Sequence, residues 1–525
     1  MNTNEPSKQT AGRHFEKVAL SLADICGSQY VRAICENRSF LTGTDSAELT
    51  RVAFEKIEFL PEAFERRLAQ LLARVGQRAC APFDDPASGA STRQFDQHSK
   101  LGMAPMSALG YVRVGEDGKL YLITKSEHYH APLGHSFPGY ALLDVARRLG
   151  IPNATHNNTR GYITRMLEQE LVCAANNVDS SDAPAVKALL ASSSPDVMNR
   201  VLNLETGSLA VEAALKLILA RFYRSEASEP LPKFSGRLPV ILVMGNDDGG
   251  LKANYHGTTL FTQMMRGMWP ELASPVQEQC MRVVPIRPNN MADLESAFRT
   301  YESGNFKIAG FFHEIVMMNY GGRLLSREFL GRAYELCRAH DVPVVCDEIQ
   351  SCLWAPGLFM FREYGLRPSF VSVGKGFPGG EYPASRLLFS AAFDCLPQFG
   401  ALVTNGQEEV ASLAYLVTMR WTMANAQRTR EIGQYYENRV RDLARQFPQW
   451  ISGVDGWLHM TCLNFADAKT ATAFARLLVE RGLDVSVQTY KADCPPSLLT
   501  KLPLICGWEA VDFVVDQMKT ALEKW

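Results

Sequence analysis

The sequence predicts an α/β protein: a large domain on a mostly parallel sheet, preceded by a helical extension and followed by a smaller α+β domain. Three observations carry this. Up to about Met106 the apolar residues repeat with helical spacing, from about Val201 short apolar runs alternate with helical patterns, and over about the last hundred residues the pattern changes again, to a strand-like run, a helix and a final amphipathic helix. The 525 residues, 46% hydrophobic and 21% charged, are enough for several buried cores at the usual ~100–200 residues per domain, and exclude disorder as the main state.

In the extension, Leu60, Phe64, Leu68, Leu71, Leu72 and Val75 share one helix face, with Pro61 pre-set for the first turn. Ala81 to Ser107 is rich in turn residues, among them Asp84, Asp85, Pro86, Ser88 and Gly89, and marks a boundary. The runs Leu238–Met244, Ile308–Phe312, Val342–Cys346, Phe370–Val373 and Arg386–Ser390 are nearly continuous in apolar residues, which is how strands covered on both faces read. Near the end, Trp457–Leu463 reads as a strand and 468–481 as a helix, and Val511, Val514, Val515, Met518 and Leu522 form the stripe of a final amphipathic helix. The expected division is a helical extension over 1–106, a large domain over 107–410 whose first segment belongs with the small domain, and the small domain over 411–525.

Charge and composition exclude other classes. Lys plus Arg number 54 against 56 Asp plus Glu, a net charge of −2 with no basic block, so nucleic acid is not an expected partner. Met1 to Thr10 is polar and no apolar run reaches the ~18 residues of a membrane span, so a cytoplasmic protein without a membrane partner is expected. The 12 cysteines are scattered without a CxxC pair and read as reduced thiols.

In an open parallel sheet ligands bind beyond the carboxyl ends of the strands, so polar residues directly after apolar runs are the candidates. Asp347 of Asp347-Glu348-Ile349-Gln350 ends one run; taken alone it reads equally well as an acid capping the next helix. Lys375 ends another, with Gly374 and Gly376 on either side, glycines that mark either a turn or a close approach of backbone and ligand. A P-loop is excluded there, since no glycine stands five residues before Gly374 and no Ser or Thr follows Lys375. The run Val201–Leu204 leads into Thr206-Gly207-Ser208 and a strong helix former, a ready phosphate site at a helix N-terminus, with Ser208 as a plain N-cap the simpler alternative. A phosphate cradle, an amine able to form a Schiff base and a carboxylate able to pair with a ring nitrogen are together the protein's parts of pyridoxal 5'-phosphate chemistry.

Thr206-Gly207-Ser208, Tyr255-His256-Gly257, Asp347-Glu348-Ile349-Gln350, Gly374-Lys375-Gly376 with Gly379-Gly380, and Thr404-Asn405-Gly406 follow one another as in class III aminotransferases, and Gly134-His135-Ser136-Phe137-Pro138 fits the family's opening segment. The chain resembles that family from about Gly118 to Trp525. The resemblance implies the fold type I architecture with a seven-stranded sheet and an enzyme that moves an amino group between an amine or amino acid and a carbonyl acceptor. It makes Lys375 the Schiff-base lysine and proton shuttle, Asp347 the partner of the pyridine nitrogen, Gln350 a neighbour of the ring hydroxyl, and Gly207 and Ser208 the phosphate cradle. Tyr255 would cover one ring face with His256 beside it. Thr404 would reach the phosphate of a neighbouring subunit's cofactor, which implies a homodimer with shared active sites. Glu314 would have a supporting role at a strand end, with a weaker claim for His313.

Two departures from the family stand out. Ser351 to Gly357 lacks the arginine that receives a substrate carboxylate in many members, leaving Arg323, Arg386 or an N-terminal residue as substitutes; racemase, aminomutase or decarboxylase chemistry of the same fold family is the alternative. The extension before the family-like region is longer than usual. His128, His130 and His135 form a histidine cluster; on a strand the first two would share a face, but no Cys or carboxylate completes a metal-ligand set, and no metal is expected.

Overall fold

The structure, a computed structural model, describes residues 14–84, 87, 89–155, 157–246, 268–398, 400, 401, 403–491 and 493–525. Its large sheet is formed by β1 (Met198–Leu204), β2 (Leu238–Met244), β3 (Arg282–Ile286), β4 (Phe306–His313), β5 (Val344–Asp347), β6 (Phe370–Val373) and β7 (Ser385–Ser390), in the spatial order β1-β7-β6-β5-β4-β2-β3. β7 runs antiparallel to both neighbours and the other pairs are parallel. This is the mostly parallel α/β sheet that the apolar runs predict.

Those runs are apolar throughout because each strand feeds two cores. Along β2, Val240, Leu242 and Met244 enter one cluster while Ile241 and Val243 enter another. β4 and β5 divide the same way, Ile308 and Val344 to the first cluster, Ala309 and Val345 to the second. Alternation sends neighbours to opposite faces, and with helices on both faces neither set can be polar. Helix α1 (Gly207–Leu219) covers the second face, with Ala210, Ala213 and Ala214 bringing its backbone close to the strands.

A four-stranded antiparallel sheet follows, β8 (Ile451–Trp457), β9 (Met460–Phe465), β10 (Ser486–Gln488) and β11 (Ser497–Leu499), in the order β8-β9-β11-β10. Helices α2 (Glu409–Ala424), α3 (Ala468–Glu480) and α4 (Trp508–Glu523) lie in this half, and the predicted stripe of α4 is buried in full. The segment read as one strand, Trp457–Leu463, is instead the corner of a hairpin: Trp457 pairs with Met460 across a two-residue loop. Such loops ordinarily use Asn or Gly for positive φ. Here Leu458 takes φ 50°, and buried His459 bonds the Thr429 carbonyl at 2.9 Å. Tertiary packing holds what local propensity does not announce.

The extension belongs to the main core. Its helix Glu62–Leu72 starts after Pro61 and buries Leu68 and Leu72. Phe59 is fully buried and meets Phe137 edge-on, and Phe137 and Phe15 both pack on Trp421 of α2. Among the described residues, no helix is long and apolar enough to cross a membrane.

Phe59→Ala removes a ring with no room to be replaced by solvent and is expected to cost about 3–5 kcal/mol in denaturant unfolding; a loss under about 1 kcal/mol would detach the extension from the core. Burial holds the imidazoles of His313 and His459 at about 4, below the ordinary 6.5. Between those values the unfolded chain binds more protons than the folded one, so stability rises with pH across that window and falls on acidification from 6.5 toward 4. Melting temperatures across that range should show the decline, and His459→Gln should flatten it.

Candidate active site

Strand register brings the chemistry to one edge. β5 and β6 pair with Asp347 opposite Ser372, and β5 and β4 with Cys346 opposite His313, so Glu314, Asp347 and Lys375 leave the sheet at its carboxyl end within a few residues of each other. They line one cavity of about 460 Å³ together with Thr206, Gly207, Ser208, Gln350, His128 and His130. Of the residues read from the sequence as holding a cofactor, Gly207, Ser208, Asp347, Gln350 and Lys375 are therefore assembled. Tyr255 and His256 lie outside the described residues. Thr404 is exposed and does not line this chain's own cavity.

Asp347 accepts from the Ser372 hydroxyl at 2.8 Å and from the Ile349 amide at 3.0 Å, both on Oδ1. Burial raises its carboxyl above the ordinary value of 3.8, against these bonds and the pull of Lys375. The adjacent Glu348 does a different job: it is fully buried and accepts from the Met360 and Phe361 amides at 2.8 and 2.6 Å, fixing the turn that follows β5. The helix-capping role open to Asp347 on sequence thus falls to Glu348.

Lys375 has φ 52°, a left-handed conformation uncommon outside glycine. A Cβ on Gly374 would stand 2.5 Å from the Ser385 side chain, and one on Gly376 would stand 2.7 Å from the Tyr129 carbonyl. Both glycines are demanded by close approach of neighbouring backbone. Burial lowers the proton affinity of the Lys375 amine, opposed by Glu314 and Asp347. Its Nζ lies 5.0 Å from the centre of the Tyr129 ring.

At the third corner Thr206, and not Ser208, is the N-cap of α1, accepting from the Leu209 amide at 3.5 Å. That places Gly207 and Ser208 in the first turn, whose amides have no acceptor within the helix. A Cβ on Gly207 would stand 2.8 Å from Ile349, which keeps this turn against the Asp347 loop.

Residues that sequence reasoning ranked low gain weight. Glu314 lines the cavity, its Oε2 is buried without a hydrogen-bond partner among the described residues, and burial followed by repulsion from Asp347 raises its carboxyl well above the ordinary 4.5. His313 instead faces the core, bonded to Tyr334 at 3.0 Å and the Glu314 carbonyl at 3.1 Å. His128 and His130 do not sit on a strand: Ser126, Glu127, His128 and Tyr129 all have positive φ, and His135 turns away to Glu127 at 2.8 Å. Burial, then the charge of Lys375, holds His128 at about 4, so it is neutral at pH 7. Neither Arg323 nor Arg386 lines the cavity; Arg386 is fully buried, donating to the Ser385 carbonyl and lying over Tyr415.

The donor set fits pyridoxal 5'-phosphate. Phosphate would sit on the first turn of α1, Asp347 would take the ring nitrogen, and the buried Gln350 Oε1, without a protein partner among the described residues, is available to a ring substituent.

Residues 103–522 match the family Aminotransferase class-III. The acetylornithine aminotransferase of Synechocystis sp. is 24% identical over 294 residues, covering 54% of this chain and 64% of that protein. Ornithine aminotransferase car2 of Schizosaccharomyces pombe is 24% identical over 337 residues, covering 61% and 73%. The chain therefore spans about two thirds of the length of these curated relatives, 64% and 73%. The crystal structure of the ornithine aminotransferase from Toxoplasma gondii ME49 shares the fold, with a TM-score of 0.64 at 19% identity over 82% of this chain and 93% of that one. With the motif order, the mostly parallel sheet and the assembled strand-end residues, the match over 103–522 establishes that this chain belongs to the class III aminotransferase family, whose cofactor is pyridoxal 5'-phosphate.

Proposed function

We propose that this protein is a pyridoxal 5'-phosphate-dependent aminotransferase that moves an amino group between an amine or amino acid and a carbonyl acceptor, working as a homodimer. The observation that carries the reading is the convergence of Lys375, Asp347 and the Gly207-Ser208 turn on one cavity. The cofactor, when bound, supplies an electron sink for charge developing at the substrate carbon.

The chain's residues supply the rest. Lys375 acts first as a nucleophile, which requires its amine uncharged; burial works toward that form. It then carries a proton between the substrate carbon and its neighbour, and its rigid backbone, wedged between Gly374 and Gly376, keeps the amine aimed at one place. Asp347 holds a proton on the ring nitrogen, and its bonds to Ser372 and Ile349 fix its orientation before anything binds. Glu314, its carboxyl raised by burial and by Asp347, lines the same cavity. Thr404, exposed on its own chain, is placed by this reading against the cofactor phosphate of a second copy.

Lys375→Ala is expected to abolish turnover with the fold intact by circular dichroism; retained activity would remove the mechanism. Asp347→Ala should lower kcat by about 10²–10⁴-fold, the range for groups that hold a proton or charge in the transition state. Cofactor-loaded protein should lose its visible absorbance when given an amino donor and regain it with a keto acid. Absorbance that persists while the donor's α-hydrogen exchanges with solvent deuterium would overturn amino transfer. Thr404→Ala should weaken cofactor retention severalfold on dialysis, and unchanged retention would count against shared sites.

A further inference from the structure

Lysine is almost never fully buried unless it is paired. Lys501 is fully buried, yet among the described residues its amine meets the Gln350 carbonyl and two aromatic faces instead of a carboxylate. Its Nζ lies 3.6 Å from the centre of the Trp354 ring and 4.5 Å from that of Tyr129. The cage is rigid. Trp354 donates its indole N–H to the Leu502 carbonyl at 3.0 Å, and the Lys501 backbone donates to Thr124 and accepts from Ser126. Tyr129 is the ring that Lys375 also faces, at 5.0 Å.

We propose that Lys501 is a positioning residue for Lys375: two amines sharing the Tyr129 ring hold one proton between them, and the aromatic cage with the Gln350 carbonyl draws it to Lys501. This rests on the reading of Lys375 as the nucleophilic amine. Burial pushes both amines below the ordinary lysine value, Lys501 further than Lys375, and the charge of Lys375 adds to the depression at Lys501. The contacts at Lys501 work the other way there, because an ammonium is attracted to the face of an indole or phenol and a neutral amine gains little. The other titratable groups around the pair are Glu314 and Asp347 from the strand ends, His128 and His130 from the turn before Tyr129, and Cys352 beside Trp354. Burial raises the carboxyl of Glu314 and lowers both imidazoles, and Glu314 and Asp347 are the groups that oppose burial at Lys375. By bonding to Gln350, Lys501 also fixes a residue of the cavity wall from behind.

The test reads the proton affinity of Lys375 directly. The full chain, before cofactor loading, is labelled competitively with acetic anhydride across a pH series and the Lys375 peptide quantified by mass spectrometry; the loaded enzyme is titrated in parallel by its visible absorbance. Lys501→Met removes the amine, and Lys501→Gln keeps a donor toward the Gln350 carbonyl without a basic group. Both variants should raise the Lys375 midpoint by about one pH unit, the size expected for a like charge at this range, and move the absorbance midpoint the same way. An unmoved midpoint in either variant overturns the proposal, and a rise in the Met variant that Gln reverses would reduce Lys501 to a brace. Should neither variant fold, the unaltered chain decides: a Lys375 midpoint at the ordinary 10.5 sinks the idea. Labelling needs no turnover, so its failure and a failure of amino transfer are read separately.

Discussion

The site depends on a hydrogen-bond ladder. β4, β5 and β6 are parallel neighbours, and the pairing of Asp347 with Ser372 and of Cys346 with His313 means that no one of them can slide without carrying its side chains to the opposite face. Glu314, Asp347 and Lys375 come from points far apart in the chain and share no local structure. Their common edge follows from register alone, and register is set by two cores that accept only the alternate residues each strand offers. Ser372, inside β6, also bonds Asp347 at the end of β5, so the ladder continues into the site as a side-chain contact.

The opposite wall has a different origin. Four consecutive residues, Ser126 to Tyr129, have positive φ, a conformation that costs non-glycine residues roughly 1–2 kcal/mol each. Contacts from the far end of the chain hold them there. Leu122 pairs with Leu483, Thr124 donates to the Asp484 carbonyl at 2.5 Å, Ser126 donates to the Lys501 carbonyl at 2.6 Å, and Arg113 ties Glu127 to Asp484. A backbone so over-determined can be kept in a sparsely populated region, and residues in such conformations cluster at functional sites. The result is a wall carrying His128 and His130, with the buried Tyr129 between them in the chain.

Much of this was legible in the residues. The apolar runs of β2, β4, β5, β6 and β7 fall where the sequence puts them, and Asp347, Lys375 and Gly207-Ser208 stand out because polar or small residues end such runs. The assignment of labour within Asp347-Glu348 was not legible, since two adjacent acids look alike until one faces the cavity and the other faces the amides of Met360 and Phe361. The glycines flanking Lys375 were legible as glycines but not in their cause, which is the approach of Ser385 on one side and Tyr129 on the other.

The residues read alone mark the α/β layering, the family, and Asp347, Lys375 and the Gly207-Ser208 turn as candidates for the site. Each of these is written in a short stretch, because strand periodicity, helix capping and strand-end chemistry act over a few residues. Packing alone makes Leu458-His459 a hairpin corner, turns Ser126 to Tyr129 left-handed, keeps Arg386 out of the cavity lining and brings Lys501 to Tyr129 and Trp354. Those features arise where separate segments meet, 30 positions apart at His459 and Thr429 and 375 apart at Ser126 and Lys501. A buried lysine reads in sequence as an ordinary surface one, and what distinguishes it is the set of neighbours that packing brings to its amine.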